Sequence, residues 1–463
     1  MPIYWILEII INNQTNNLQT KMKIAVFSDA FHPQISGVTT FVLNMANYLA
    51  RDGHEIRIYA PKFPNSSFDD SALPKNISIY RALSFKVITD PNMRISIPNI
   101  IKLSNDFTKF NPDVVHIHTP LTLGILGLTI AKSKRKPIVG TYHTYIPDFT
   151  CYVSPIAFFK SLTKALFTKF RKKDPKTAKQ FLNKWMKLKL FEKKIKSIKN
   201  EKHKKEKKKR LVWSITKSHY KHFNILTTPS KVLVDELKKH KINKNIIFLS
   251  NGIELDLFKN CSSKKSFKND QPITLIHVGR IAPEKKVDII LKALKILIDQ
   301  KYNVKLIIAG FGVSVDDMQK LSKELGIEKY VQFTGKIPRE NLPEYYSKAD
   351  IFITASPIET QGIVVLEAMS CAIPVVGVKK LALNELIKEG YNGVLAEPDD
   401  PKDLANQCIK LMRLTPSEYK KYSNNALESV KEHDIKNSMK RLEEIYQMAI
   451  SNKKISKAKS LYY

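Results

Sequence analysis

Short apolar runs alternate along this chain with longer stretches in which apolar residues return every three or four positions. "KIAVFSD" (23–29) has the pattern of a buried strand, followed by a loop with Pro33 and Gly37. "TTFVLNMANYLARDGH" (39–54) then carries its apolar residues at helical spacing and offers Gly53 as a C-cap. "EIRIYAP" (55–61), "VVHIHTP" (114–120) and "PIVGTYHT" (137–144) continue as strands. Strand–helix–strand alternation with short links predicts a parallel sheet covered by helices. The pattern restarts with "ITLIHVGR" (273–280), "VKLIIAGFG" (304–312), "VQFTG" (331–335), "IFITAS" (351–356) and "IPVVGV" (373–378), with helices at 287–299 and 315–325 between them.

The fold class is therefore α/β, with two Rossmann-like domains whose parallel sheets face across a cleft and bind ligand at the carboxyl ends of the strands. The polar run "KNCSSKKSFKNDQ" makes 259–271 the linker. The expected division is 1–258, then this linker, then 272–430. A last helical stretch, about 416–449, has no strand after it, and 431–463 is expected to return to the amino-terminal domain.

Composition narrows the class. A chain of 463 residues with 43% hydrophobic content is globular and too long for one core. Cys151, Cys261, Cys371 and Cys408 show no paired spacing, which argues against a disulfide framework or zinc site and fits a reducing compartment. No apolar run approaches the ~20 residues of a spanning helix. "YWILEIII" near the start contains Glu8 and lacks the flanks of a signal peptide, and 1–21 reads as an optional extension before Met22.

The net charge of +34 is unevenly placed. Residues 171–210 hold 19 Lys and Arg against four Asp and Glu, whereas 271–400 holds 16 against 17. One surface is thus built to meet something anionic: nucleic acid, a membrane, or solvent alone if the segment is a solvated insertion.

Four places can carry chemistry. In "GRIAPEK", Arg280 and Lys285 follow a strand, where a turn entering a helix offers free amides and two fixed charges to a phosphate; such a pair is also often merely solvated. In "ETQGIVVLE", a helix starting near Gly362 leaves Glu359 outside its amino terminus and puts Glu367 in its second turn. A carboxylate accepts two hydroxyl hydrogen bonds, so Glu367 suits a ribose diol and Glu359 a sugar ring. The amides of Gln361, Gly362 and Ile363 would lie at the positive end of the helix dipole. The plainer alternative is a helix-start acid and a surface residue, but the apolar setting of Glu367 makes a carboxylate costly without partners.

Gly37, ahead of its helix, lets backbone approach a phosphate, or simply makes a turn. Lastly, "HIHTP" (116–120) and "GTYHT" (140–144) end two strands. His116 and His118 share a face, and His118 is nearer the strand end. A metal bound by His116, His118 and His143 has no matching carboxylate in the flanks, so none is assigned.

In this order, the Gly37 loop, "HIHTP", "NGIELDLF" (251–258), "GRIAPEK" and the Glu-x7-Glu pair resemble the retaining glycosyltransferases of family four, which have the GT-B fold. The resemblance runs over nearly the whole chain from Met22. It implies a metal-independent transfer with no cofactor, from a nucleotide sugar held by Gly37, Arg280 and Lys285 at the diphosphate, Glu359 at the sugar and Glu367 at the ribose. It also implies His118 against the reacting centre and the base near "TGKIP" (334–338).

"FHPQISGVTT", "GTYHTYIPDFTCYV" and "ETQG" are similar to the branch that glucosylates diacylglycerol, although Pro147 stands where an acidic residue is common. UDP-glucose is then the expected donor and a lipid the acceptor. His143, Asp148 and Tyr152 are candidates for the acceptor side, where a plain loop reads as well. With no carboxylate nucleophile in the motifs, front-face attack by the acceptor is expected. The same donor chemistry on a phosphoinositol, glycolipid or polysaccharide intermediate, and a non-catalytic scaffold, are the other readings.

A lipid acceptor also accounts for the lysines. Segments 156–170 and 181–198 read as basic amphipathic helices of an insertion at 156–221, able to lie on an anionic membrane through 156–210. A helical pair packed by the same stripes is the alternative, and no nucleic-acid fold accompanies them. The expected location is cytoplasmic, on the inner face of the plasma membrane.

Overall fold

The computed structural model describes residues 21–34, 36–64, 69–87, 90–147, 201–259, 261 and 271–459. Apolar runs with few side-chain hydrogen-bonding groups become strands buried on both faces, as parallel sheets require. The first sheet has seven strands: β1 (Lys23–Phe27), β2 (Glu55–Pro61), β3 (Ile77–Ala82), β6 (Val114–Ile117), β7 (Ile138–Thr141), β8 (Ile225–Thr228) and β9 (Ile246–Phe248), in the order β3-β2-β1-β6-β7-β8-β9. β4 (Ser84–Val87) and β5 (Asp90–Ser96) form a separate two-stranded ribbon. The second sheet comprises β10 (Ile273–Val278), β11 (Val304–Ala309), β12 (Val331–Gly335), β13 (Ile351–Ile353), β14 (Val375–Val378) and β15 (Gly393–Ala396), in the order β12-β11-β10-β13-β14-β15. Its ladders are parallel. Two parallel α/β sheets are what the hydrophobic pattern predicts.

Helices connect the strands: α1 (Gly37–Arg51), α2 (Ile100–Phe110), α3 (Thr122–Ser133), α4 (Glu201–Tyr220) and α5 (Lys231–Lys239), then α6 (Val287–Asp299), α7 (Val315–Glu324), α8 (Ile363–Ser370), α9 (Pro401–Met412), α10 (Pro416–Val430) and α11 (Ile435–Lys459). α1 shows why the periodicity was sufficient. Its buried positions Phe41, Val42, Met45, Ala46 and Leu49 form one stripe. Ser36 caps its start by accepting from the Thr39 amide, and Gly53 takes φ +88 just past the C-cap Asp52.

By contact, the described residues fall into two compact units, one within 1–85, 95–138 and 449–463, the other within 86–94 and 139–448. In the first, Phe27 stacks on Tyr59 at 4.3 Å between ring centroids. In the second, the core runs continuously from Ile253 and Phe258 through the second sheet to Ala426 and Val430.

The structure corrects several expectations. β3, β4, β5 and α2 carry mixed polar and apolar residues and were not legible as elements, nor were the short strands β8, β9 and β15. The predicted strands end earlier, at Ile117, Val278, Ala309 and Ile353. The single helical stretch at 416–449 is two helices, because a 3-10 turn at Lys431–His433 intervenes and Asp434 is extended. α4 falls in the basic insertion, yet its last turns belong to the core: Trp213 stacks on His240 with ring centroids 3.9 Å apart, and Tyr220 is fully buried. The amphipathic segments 156–170 and 181–198 lie outside the described residues.

"NGIELDLF" has a structural task. The Ile253 amide donates to the His433 carbonyl at 2.9 Å, and the Ile435 amide returns to the Ile253 carbonyl at 3.0 Å. Gly252 makes this approach with φ +73, and a Cβ there would stand 2.6 Å from the Ile435 Cα. Both conformation and space therefore exclude a side chain. Gly252→Ala should lower stability by roughly 1–3 kcal/mol, read as an earlier midpoint in urea unfolding; a wild-type midpoint would refute this packing.

Candidate active site

In an open parallel sheet, ligands bind outside the carboxyl ends of the strands where the strand order reverses. In the second sheet that point lies between β10 and β13, and the two motifs with most chemical promise follow these two strands. After β10 the chain does not enter a helix directly, as expected for "GRIAPEK". It makes a 3-10 turn at Pro283–Lys285, Lys286 adopts a left-handed conformation, and α6 begins at Val287. This turn is held by the end of β11 and the loop after it: the Gly279 amide donates to Ala309 O at 3.0 Å and the Ile281 amide to Phe311 O at 2.9 Å. The approach is so close that a Cβ on Gly310 would lie 1.8 Å from the Gly279 carbonyl oxygen. Gly310 is thus a supporting residue of the site, and "AGFG" at the end of a strand is the only local sign of it.

The turn brings Lys285 Nζ to 2.5 Å from Glu359 Oε1, in the loop after β13. Burial alone would raise the Glu359 carboxyl, but the charge and hydrogen bond of Lys285 outweigh it and hold the group below its ordinary range. Glu359 is therefore an ionised acceptor with one oxygen committed to Lys285. Arg280 pairs with Glu284, whose carboxylate is buried. Two cations thus stand on one turn, each balanced by an acid that leaves guanidinium or ammonium hydrogens for another anion.

Gly362 is the N-cap of α8, with φ +83, and Glu367 lies in the second turn as expected. Glu367 is 4% exposed, which excludes the surface reading. Burial raises its carboxyl above the ordinary range, only partly countered by Arg339 and by the Tyr346 hydroxyl, which donates to Glu367 Oε2 at 3.1 Å. Arg339 Nε lies 3.9 Å from Glu367 Oε1, while Arg339 Nη1 donates to Glu254 Oε2 at 2.8 Å. Arg339 and Glu254 were missed by sequence reasoning; nothing local to either residue signals the partnership.

The Gln361 side chain is structural as well. It donates to Ser250 Oγ at 2.8 Å and accepts from the Asn251 amide at 3.2 Å, fixing α8's start to the "SNGIE" loop. The His143 carbonyl accepts from Thr360 Oγ1 at 2.7 Å, one residue from Glu359. Ile363 opens α8 and is partly exposed. Asp148 and Tyr152 lie outside the described residues.

In the other unit, Gly37 is the exposed first residue of α1, which leaves its amide end open to solvent. His118 follows β6 directly, buried against Phe41 of α1 at 5.6 Å and against His116 at 3.9 Å between ring centroids. The shared face of the two histidines is as predicted. Their loop is anchored by Asp29, whose carboxylate accepts from Thr119 Oγ1 at 2.8 Å and from the Leu123 and Gly124 amides at 3.0 and 3.3 Å. Asp29 ends the "KIAVFSD" run, where an acid after a strand carries no distinguishing signal. Among the described residues, no group of three or more His, Cys, Asp or Glu could hold a metal, and no helix is long and apolar enough to cross a membrane.

Two family models match adjoining parts of the chain: Glycosyltransferase Family 4 over 35–257 and Glycosyl transferases group 1 over 258–429. An alpha-monoglucosyldiacylglycerol synthase of Acholeplasma laidlawii is 26% identical over 94% of this chain and 100% of its own length. A GDP-mannose-dependent alpha-mannosyltransferase of Corynebacterium glutamicum is 23% identical over 82% of this chain and 78% of its own. The crystal structure of Anabaena HepE in complex with UDP and glucose superposes with a TM-score of 0.63 at 17% identity, covering 92% of this chain and 99% of that one.

Burial holds the His143 ring far down, to about 3, and His277 to about 4. In the unfolded chain both take up a proton near pH 6.5, so stability falls as the pH drops below that value. The decline is at most about 1.4 kcal/mol per pH unit for each ring. Asp29, raised by burial to about 6, acts oppositely, since the folded form gains its proton first on acidification. His143→Gln should flatten the net decline between pH 6.5 and 4 in urea unfolding; an unchanged slope would show that the ring is not shielded.

Proposed function

The chain belongs to the family-four glycosyltransferases of GT-B fold, and from that premise we propose that it moves a hexose, with glucose from UDP-glucose the leading choice, onto diacylglycerol at a membrane surface with retention of configuration. The observation that carries the donor half is the Lys285–Glu359 pair beside Arg280 at the strand-order reversal. A diphosphate leaving group develops negative charge as the anomeric bond breaks, and fixed cations stabilise it. In this reading, Arg280 and Lys285 hold the diphosphate, so no metal is assigned to the reaction. Gly37 and the amides of Gly362 and Ile363 add backbone donors, with Gln361 setting where α8 begins. Glu359 accepts from the sugar, and Glu367 from the ribose hydroxyls.

The acceptor hydroxyl attacks the anomeric carbon on the face from which the diphosphate departs. The carbon–oxygen bond to phosphate breaks, and the hydroxyl proton passes to the departing phosphate oxygen. His118 lies against the reacting sugar, while His143, Asp148 and Tyr152 serve the acceptor. The diacylglycerol assignment is supported by the full-length likeness to the Acholeplasma laidlawii synthase, and UDP by the ligand of HepE. The Corynebacterium glutamicum relative makes GDP-mannose the second donor to try. The lysines of 156–210 would hold the enzyme on an anionic leaflet on the cytoplasmic side, each contributing about 1 kcal/mol at most near the surface.

Lys285→Ala should lower kcat roughly 100- to 1,000-fold and, because it leaves Glu359 without its partner, should also lower stability. The Lys285→Ala, Glu359→Gln double variant should regain the stability and stay inactive; a double variant with wild-type turnover would remove Lys285 from the mechanism. The overall assay is transfer of label from UDP-glucose or GDP-mannose to diacylglycerol in vesicles, with products separated by chromatography. Labelled lipid from neither donor, with nucleoside diphosphate bound, would refute the acceptor. Binding to anionic vesicles in flotation should weaken with salt and be lost on deleting 156–200; binding that survives the deletion would take the lysines out of the membrane role.

A further inference from the structure

One buried polar group at the strand-order reversal remains without an assigned task. His277 is the penultimate residue of β10 and is 1% exposed. Its Nδ1 lies 3.0 Å from the carbonyl oxygen of Ile353, the last residue of β13. A carbonyl oxygen can only accept, so Nδ1 carries the proton and donates it, and Nε2 of the neutral ring is left as a bare acceptor. Among the described residues Nε2 has no hydrogen-bond partner. A buried acceptor without a donor is costly, and such groups are retained where a ligand or water completes them.

What Nε2 faces is legible from its neighbours. A Cβ placed on Gly279, in the turn that carries Arg280, would meet one atom within 4 Å: His277 Nε2, at 3.8 Å. The space on that side of Gly279 is therefore open, and Nε2 borders it. Lys285 and Glu359 lie close enough to act on the ring's charge. Lys285 is engaged with Glu359 rather than with the imidazole.

We propose that His277 Nε2 accepts a hydrogen bond from a hydroxyl of the transferred hexose, next to Glu359, and so helps decide which sugar the site takes. The inference rests on the donor-site reading above. A neutral acceptor selects a hydroxyl over a phosphate oxygen, because at neutral pH the phosphate oxygens facing it carry no hydrogen to donate. It also selects between epimers, since inverting one hydroxyl moves its proton out of reach and leaves Nε2 unpaired again.

The test pairs a residue with a hydroxyl. His277→Asn keeps an N–H for the Ile353 carbonyl but is too short to place an acceptor where Nε2 stands; thermal unfolding checks that it is folded. For whichever of UDP-glucose or GDP-mannose the wild type uses, kcat/KM is measured with the intact donor and its monodeoxy analogues, and nucleoside diphosphate affinity by calorimetry. One deoxy analogue should cost the wild type about tenfold and cost His277→Asn nothing further, with diphosphate affinity unchanged in both. Equal penalties in the two proteins for every analogue, or wild-type kcat/KM in His277→Asn, would overturn the proposal.

A readout on the wild type does not depend on the variant folding. With 15N-labelled histidine, the Nε2 resonance of one Nδ1-protonated ring should move on adding the nucleotide sugar and stay put with nucleoside diphosphate alone. A resonance that ignores the sugar overturns the assignment. A wild-type chain that binds no nucleoside diphosphate fails the donor-site reading, and this inference with it; one that binds it without coupling to a hydroxyl fails this inference alone.

Discussion

The arrangement on which the candidate site depends is the reversal of strand order between β10 and β13. Parallel strands need crossover connections, and where successive crossovers leave in opposite directions the loops diverge and open a crevice. The loop after β10 and the loop after β13 border that crevice, and the Lys285–Glu359 pair joins them across it. An ion pair in so little solvent is held by its own Coulomb attraction, and removing one member leaves a charge with nothing to balance it. The pair thus fixes loop geometry in the absence of ligand and keeps both charges in place for one.

Around that pair the site is layered by what each group can tolerate. The backbone layer is set by close approaches, with Gly310 admitting the Gly279 carbonyl and Gly252 admitting α11. Side-chain amides and hydroxyls form the next layer, where Gln361 links α8 to Ser250, which lies within 3.0 Å of His433. The charged groups form the last layer: Arg280 with Glu284, Lys285 with Glu359, and Arg339 shared between Glu254 and Glu367. Each cation is thereby positioned before any ligand arrives, which lowers the reorganisation that charge stabilisation would otherwise require.

The other unit follows the same logic with a different anchor. Asp29 leaves β1 and accepts from the Leu123 and Gly124 amides at the start of α3 and from Thr119. That contact fixes the loop after β6, and with it His118. A carboxylate at a helix start is favoured by the dipole, although burial raises its pKa to about 6. The first sheet therefore positions its histidine through a helix cap, and the second positions its acids through ion pairs.

The sequence by itself determined the α/β class, the two sheets, the helix start at Gly362 and the placing of Glu359 before that helix and Glu367 in its second turn. These are set by local pattern: apolar runs, 3.6-residue periodicity and residue spacing. It did not reveal β3, β4 and β5, which mix polar and apolar residues, or β8, β9 and β15, which are only three or four residues long, too short to show a strand's alternation. It did not divide α10 from α11 either, because periodicity continues through a 3-10 turn. Tertiary structure alone decided that Lys285 faces Glu359 across 74 residues, that Arg339 joins Glu254 to Glu367, and that His277 spans from β10 to β13. Each of these depends on which strands become neighbours, and strand order follows from the packing of the whole sheet, which no local spacing encodes.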